Sequence, residues 1–338
     1  MNGEGDTPAW QPAPNQPALP EGETHVWRVR LDQPSERVEA FARMLSPDEH
    51  DRASRFYFSR HREWYIVGRG SLRMILGRYL GILPRQVRLG YGALGKPHLV
   101  PTEADDLRFN VAHSEGLALY AVTRRQEIGV DLERVRALPD AEEIARRFFS
   151  PREVENFLRV APSHRLGAFF TCWTRKEAFL KATGDGLARP LDDFDVSLAP
   201  GEPAQLLRVR DDPGAPSRWS LQDIRAGEGF AAAVAAEGRR RLVCYDVEPH
   251  GQPAPALAMV GPGSLWSPEI AKRFRGLNPG HPPGVSGHLH DRPEGGDIPP
   301  SRKLLLHHAA HGRRPWRNGG VEFLPGTVLH RLIPQISR

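Results

Sequence analysis

The chain is short of cysteine, of long apolar runs, and of net charge outside its carboxyl-terminal quarter, and each shortage removes a class of protein. Two cysteines in 338 residues, Cys172 and Cys244, make neither a disulfide framework nor a zinc site. Cys172 stands in an apolar segment, where a thiol behaves as a small buried side chain. No run approaches the eighteen or so apolar residues of a membrane-spanning helix. The amino terminus is polar and Pro-rich rather than basic and then apolar, so no signal peptide is expected and the protein is expected in the cytoplasm. The net charge is +5, of which residues 246–338 carry +4. A basic balance can mean phosphate or acidic partners; no nucleic-acid motif accompanies it, so neither nucleic acid nor membrane is expected as a partner.

What is present supports a globular core. A hydrophobic content of 39% over this length suits one large or two ordinary domains. Residues 1–22 read as a Pro-rich disordered leader. Residues 23–126 open with a strand (25–31), followed by helical pattern at 34–44 and 62–80 and strands near 87–89, 109–111 and 116–122. Residues 127–247 run in a similar order: a strand with an acidic pair, helices near 141–148, 151–160 and 166–182, and strands near 194–198, 218–221 and 230–235. No clear sequence repeat relates the two. Residues 248–338 are rich in Pro, Gly, His and Arg and read as a disordered tail; their histidines show no repeated metal-ligand spacing.

The most telling segments are Ile128-Gly129-Val130-Asp131-Leu132-Glu133 and Trp173 to Ala182. In a strand, side chains alternate faces, so Asp131 and Glu133 share one face and Ile128, Val130 and Leu132 the other. Two carboxylates on one face repel unless a cation or proton lies between them, and an all-oxygen set suits Mg²⁺. Glu177 and Lys181, four apart, are neighbours on a helix. A solvated strand face and a surface ion pair are the plain alternatives. Leu166, Phe169, Phe170, Trp173 and Phe179 make that helix strongly apolar, and Gly184 and Gly186 stop it. Charges on such a helix need partners or a function.

These segments resemble the signature of the 4′-phosphopantetheinyl transferases of the larger, surfactin-synthetase-activating type, in which G-[IV]-D-[IL]-E precedes W-x-x-K-E-[AS]-x-x-K. Gly95-Lys96-Pro97 and Phe109 to Ser114 are similar to the family's G-K-P loop and F-N-[ILV]-S-H-S strand end. Ser46-Pro47-Asp48-Glu49 through Arg52, Arg55-Phe56 and Gly70 to Arg73 resemble its amino-terminal helix region. Arg147 to Ser150 with Glu153, and Pro190 to Phe194, resemble its connecting segments. The likeness runs from about residue 25 to about residue 245.

The resemblance implies an α+β fold of two similar halves related by a pseudo-twofold, with the active site at their junction, acting as a monomer. It implies transfer of 4′-phosphopantetheine from coenzyme A to a serine of an acyl or peptidyl carrier protein, with Mg²⁺, releasing adenosine 3′,5′-bisphosphate. Asp131, Glu133 and Glu177 are then the metal ligands, with Asp131 also facing the cofactor. Glu177 is the candidate base and Lys181 the phosphate and leaving-group contact. Arg52, Lys96, His113 and Ser114 are the remaining candidate coenzyme A contacts. Two positions depart from pattern. Ala112 replaces a serine whose hydroxyl would meet the 3′-phosphate, and Glu49 stands where a basic nucleotide contact is common. A catalytically altered member acting as a carrier-binding or coenzyme A-binding regulatory module is the alternative from another class. An unrelated Mg²⁺-dependent phosphohydrolase is disfavoured by the two longest motifs.

Overall fold

The computed structural model describes residues 8–92, 96–100, 106–184 and 189–247; the tail expected to be disordered lies outside them. In chain order the elements are β1 (Gln11–Pro12), β2 (Glu23–Arg30), α1 (Ser35–Ala42), α2 (Pro47–Ser54), α3 (Ser59–Leu80), β3 (Leu89–Tyr91), β4 (Pro97–Leu99), β5 (Leu107–Ser114) and β6 (Leu117–Arg124). They continue with β7 (Ile128–Arg134), α4 (Ala141–Phe148), α5 (Pro151–Arg159), α6 (Pro162–Thr183), β8 (Phe194–Val196), β9 (Leu206–Val209), α7 (Ala215–Arg218), β10 (Trp219–Asp223), β11 (Phe230–Glu237) and β12 (Arg241–Asp246). The class is α+β, as expected.

Two sheets organise the molecule, one ordered β1-β12-β2-β6-β5 and one ordered β10-β11-β7. Their apolar faces meet: Val26, Leu119 and Cys244 of the first join Val130, Leu132 and Val234 of the second in one buried cluster. Helix α6 covers the other face of the three-stranded sheet. There Phe169, Trp173 and Ala178 join Ala233 and Ala235 of β11, and each large side chain so buried contributes roughly 1.5–3 kcal/mol. The helix starts at Pro162, four residues before its first predicted position, because proline at the first turn loses no hydrogen bond.

Strand β12, from the second stretch of the chain, pairs in parallel with β2 of the first, Val243 opposite His25. One expectation needs correction. The leader is laid down on the protein from Pro8 on. Strand β1 extends the larger sheet beyond β12, Leu19 is buried, and the Trp10 indole donates to Arg225 O at 2.7 Å. Pro-rich composition cost this segment little entropy to order, and the open edge of β12 gave it a partner.

The halves do carry a repeat, though not one of shared residues along a run. Helices α3 and α6 each span 22 residues and each ends on a left-handed glycine, Gly81 and Gly184. Each follows a short helix opened by Ser-Pro-x-Glu, at Ser46 and at Ser150. Glu153 Oε2 accepts from Ser150 N at 2.9 Å and from Lys176 Nζ at 2.8 Å. Glu49 Oε2 accepts from Ser46 N at 3.0 Å and from Arg73 Nε at 2.6 Å. Lys176 then donates to Leu191 O and Phe194 O, as Arg73 donates to Pro84 O and Val87 O. Glu49 is thus buried and engaged with Ser46 and Arg73. It is the buried helix-capping acid of the first half, as Glu153 is of the second.

Candidate active site

Strand β7 is the edge of its sheet and runs directly under α6. Gly129 makes that approach possible: a Cβ there would run into the Ala178 carbonyl oxygen and the Ala182 nitrogen of the helix. Ala233 and Ala231 of β11 stand opposite Asp131 and Glu133, so small side chains surround the acidic pair. The period of two holds. Asp131 and Glu133 are 1% exposed and share the face that α6 covers, which removes the solvated-face alternative.

Helix α6 sets Glu177 and Lys181 over this pair. Lys181 Nζ donates to Asp131 Oδ1 at 2.6 Å and to Val130 O at 3.2 Å. Burial pushes Glu177 up to about 8, with the nearby Asp131 charge adding to the push and Lys181 opposing it. Glu133 is pushed up to about 8 by burial and by the charges of Asp131 and Glu177. Burial also raises Asp131, against the pull of Lys181. Three buried carboxylates, with the Lys181 ammonium beside Asp131 and the Arg136 charge acting on Glu133, stay short of positive charge when all are ionised.

Three oxygens mark where more charge would sit. Asp131 Oδ2, Glu133 Oε1 and Glu177 Oε1 are buried without a hydrogen-bond partner, an arrangement that costs free energy unless a ligand answers it. Their chemistry fits a hard divalent cation, which takes oxygen ligands and keeps several waters. The expected ligand set is not closed, however. Among the described residues no group of three or more His, Cys, Asp and Glu converges enough to hold a metal ion, and Lys181 occupies one oxygen of Asp131.

Of the other expected contacts, Ser114 reaches the acidic pair. Its Oγ lies 3.5 Å from Glu133 Oε2 and accepts from Arg134 N at 3.1 Å. Lys96 reaches the same helix, donating to Lys181 O at 2.6 Å, and its burial lowers its pKa. His113 is half-buried and alternates to the face of β5 that carries Phe109 and Val111. Arg52 lies over the Tyr65 ring, 5.7 Å from its centroid, as does Arg69 at 5.8 Å. Ala112 is buried in the apolar cluster between the sheets, so a hydroxyl there would face the core, not a phosphate.

Sequence reasoning missed Asn110. Its Oδ1 accepts from Val130 N at 2.9 Å, so the amide closes the open edge of β7 one residue before Asp131. The signal was a polar residue inside an apolar strand, within the motif already singled out.

The sequence profile of the 4′-phosphopantetheinyl transferase superfamily matches residues 127–235, the segment holding all three carboxylates. That of the 4′-phosphopantetheinyl transferase N-terminal region matches residues 32–124. The chain is 45% identical over 230 residues to the 4′-phosphopantetheinyl transferase HetI of Nostoc sp., covering 68% of this chain and 94% of that one. The chain belongs to the 4′-phosphopantetheinyl transferase superfamily. This transferase is also 34% identical over 206 residues to a putative 4′-phosphopantetheinyl transferase of Synechocystis sp., covering 60% of this chain and 81% of the other. With the 4′-phosphopantetheinyl transferase Sfp of Bacillus subtilis it shares 31% identity over 175 residues, or 51% of this chain and 76% of that one. It is an enzyme of the larger, Sfp-like type.

Proposed function

We propose that this transferase moves 4′-phosphopantetheine from coenzyme A to a serine hydroxyl of an apo carrier protein, with Asp131, Glu133 and Glu177 as ligands of Mg²⁺. The observation that carries the reading is the trio of buried, unpartnered carboxylate oxygens on β7 and α6. When bound, the ion would neutralise charge on the pyrophosphate oxygens. The serine oxygen attacks the phosphorus that bears pantetheine, its proton passes to Glu177, and the phosphoanhydride bond to adenosine 3′,5′-bisphosphate breaks. A carboxylate positioned at the reacting hydroxyl suits that role; the raised pKa of Glu177 belongs to the metal-free site. Lys181, one helical turn from Glu177, would hold the charge that gathers on the departing phosphate. Lys96, Arg52, His113 and Ser114 stay proposed as coenzyme A contacts, Ser114 through its hold on Glu133. Retention of Asp131, Glu133, Glu177 and Lys181 disfavours a catalytically silent regulatory module.

The enzyme is further proposed to work as a cytoplasmic monomer, apart from nucleic acid and membrane. Both cysteines are free and buried, and among the described residues no helix is long and apolar enough to cross a membrane. Purified protein, coenzyme A, Mg²⁺ and a panel of apo carrier proteins test the central reading. A carrier mass gain of one phosphopantetheine is expected, and it should vanish with Glu177→Gln while the variant stays folded. A panel left entirely unmodified by the wild type refutes the reading.

A further inference from the structure

The carboxylate site needs a protein to bring its serine, and an unexplained exposed surface lies next to it. At the junction of α2 and α3, Tyr57 is 89% and Phe58 56% exposed. Large aromatic side chains so exposed, and next to each other, are uncommon on a surface that meets only water. They begin a continuous strip: Tyr57 packs edge-on to Phe58 and Phe58 edge-on to His61 at 5.5 Å, and His61 lies tilted against Trp64 at 5.8 Å.

The strip runs toward the acidic pair. The Trp64 indole donates to Asp32 Oδ1 at 2.8 Å. Both side chains lie against Gly116, where a Cβ would stand 2.6 Å from Asp32 Oδ2 and 3.4 Å from Trp64 Cζ2. Gly116 belongs to the two-residue turn after Ser114, with Glu115 also at positive φ, the turn that tight hairpins favour. Ser114 in turn touches Glu133. A partner seated on the strip is thus connected to the carboxylates through one hairpin tip.

The charge around the strip is mainly positive, with Asp32, which pairs with Arg60 at 3.4 Å, and Glu63 as the acids beside it. Arg52, Arg55, Arg60 and Arg62 fall between residues 52 and 62 with no acid among them, and Arg55, Arg60 and Arg62 are exposed. Helix α3 begins here with no side-chain cap and no acid in its first turn, so its amino-terminal dipole adds positive potential. Aromatic and arginine side chains together are the usual anchors of protein interfaces.

We propose that the Tyr57-Phe58 strip and its arginines form the landing surface for the carrier-protein substrate, which meets it with an acidic surface around an apolar centre. The inference rests on the transferase reading and names its partner's docking face. Aromatic contact supplies affinity, and the arginines steer the approach and fix its register.

Steady-state kinetics with an apo acyl carrier protein, read by mass gain, test this with two variants, Tyr57→Ala/Phe58→Ala and Arg55→Glu/Arg62→Glu. Each should raise KM for the carrier about tenfold or more, the scale of lost interface anchors. Both kcat and KM for coenzyme A should hold at wild-type values. Rising salt should lower wild-type kcat/KM and affect the arginine variant much less. On the wild-type protein, adding the carrier should slow amide hydrogen exchange in residues 55–62. Unchanged carrier KM in both variants, or protection elsewhere only, overturns the proposal while the transferase reading stands; a wild type that modifies no carrier removes that reading instead. A wild-type dimer in light scattering that the aromatic variant disperses, with carrier KM unchanged, also overturns it, in favour of a second copy of this chain.

Discussion

Lys176 and Glu153 form an ion pair at 2.8 Å with both side chains at most 1% exposed. Lys176 precedes Glu177 in the chain, yet the two point to different tasks. Lys176 fills its three protons with Glu153, Leu191 O and Phe194 O, and so ties α6 to α5 and to the segment after it. Glu153 Oε1 accepts in addition from Val196 N. Such a pair holds the helix in one axial position, and Glu177 with it.

Lys176→Met should therefore cost about 3–5 kcal/mol, the usual cost of stranding one buried charge. Glu153→Gln should cost a similar amount, because it strands the Lys176 ammonium and turns an amide NH2 toward Ser150 N, although its oxygen still accepts from Val196 N. The double variant should lose less than the sum of the two, since no charge is left unanswered. Denaturant unfolding of the four proteins checks this, and additive losses would show that the two side chains act independently.

Gly129→Ala should disturb the site without touching a charge. The new methyl has nowhere to go except into the backbone of α6 at Ala178 and Ala182, and overpacking of this kind costs typically 1–3 kcal/mol. The helix must lift from β7, which separates Glu177 and Lys181 from Asp131 and Glu133. Transfer activity should fall by about a hundredfold or more, in keeping with the penalty for misplacing catalytic groups by about 1 Å. The same substitution at Gly167, where a Cβ meets nothing, should leave activity near wild type.

Much of this site was legible in the sequence because its signals are local. Alternation along β7 depends on neighbours two apart, and the Glu177–Lys181 spacing on one helical turn. The apolar run of α6 and its stop at Gly184 are local in the same sense. What was not legible depends on distant partners. The capping acid Glu49 meets Arg73, and Glu153 meets Lys176, across more than twenty residues and with different cations, so beyond the shared Ser-Pro-x-Glu the repeat leaves no run of shared letters. The strand Arg241–Asp246 carries the apolar run Leu242-Val243-Cys244, but only its pairing with β2, more than two hundred residues earlier, makes it part of the first sheet. Ala112 looked like a lost phosphate contact because the motif shows which residue is present and not which face of β5 it occupies.

The carboxylates predict an unusual pH dependence in metal-free protein. Glu177 and Glu133 are held at about 8 in the folded state, against about 4.5 when unfolded. The folded state thus binds more protons between these values, so stability falls as pH rises from about 4.5 to about 8. Glu177→Gln is neutral at every pH. Its melting temperature relative to wild type should therefore climb across that window in the presence of a chelator. Mg²⁺ should raise the wild-type melting temperature at pH 8 and do so less in the variant, because a ligand that binds only the folded state stabilises it. A flat difference across the window would refute the assignment of a raised Glu177.

Asn110 should behave as a positioning residue for the acidic strand. Its side-chain oxygen holds Val130 N, while Lys181 holds Val130 O on the same residue, so both groups of the β7 edge next to Asp131 are closed by side chains. Asn110→Ala leaves a buried amide without a partner and should cost about 1–3 kcal/mol. Faster hydrogen exchange at Val130 is the direct readout, and it separates this role from a contact with coenzyme A. With strand β7 loosened, kcat should fall while KM for coenzyme A stays near wild type, because Asn110 is 5% exposed and offers no surface to the nucleotide. Asn110→Asp keeps the acceptor and should restore protection at Val130, but it adds a negative charge near Asp131 and should recover turnover only in part. A variant with normal Val130 exchange and a raised KM for coenzyme A would assign Asn110 to the substrate instead.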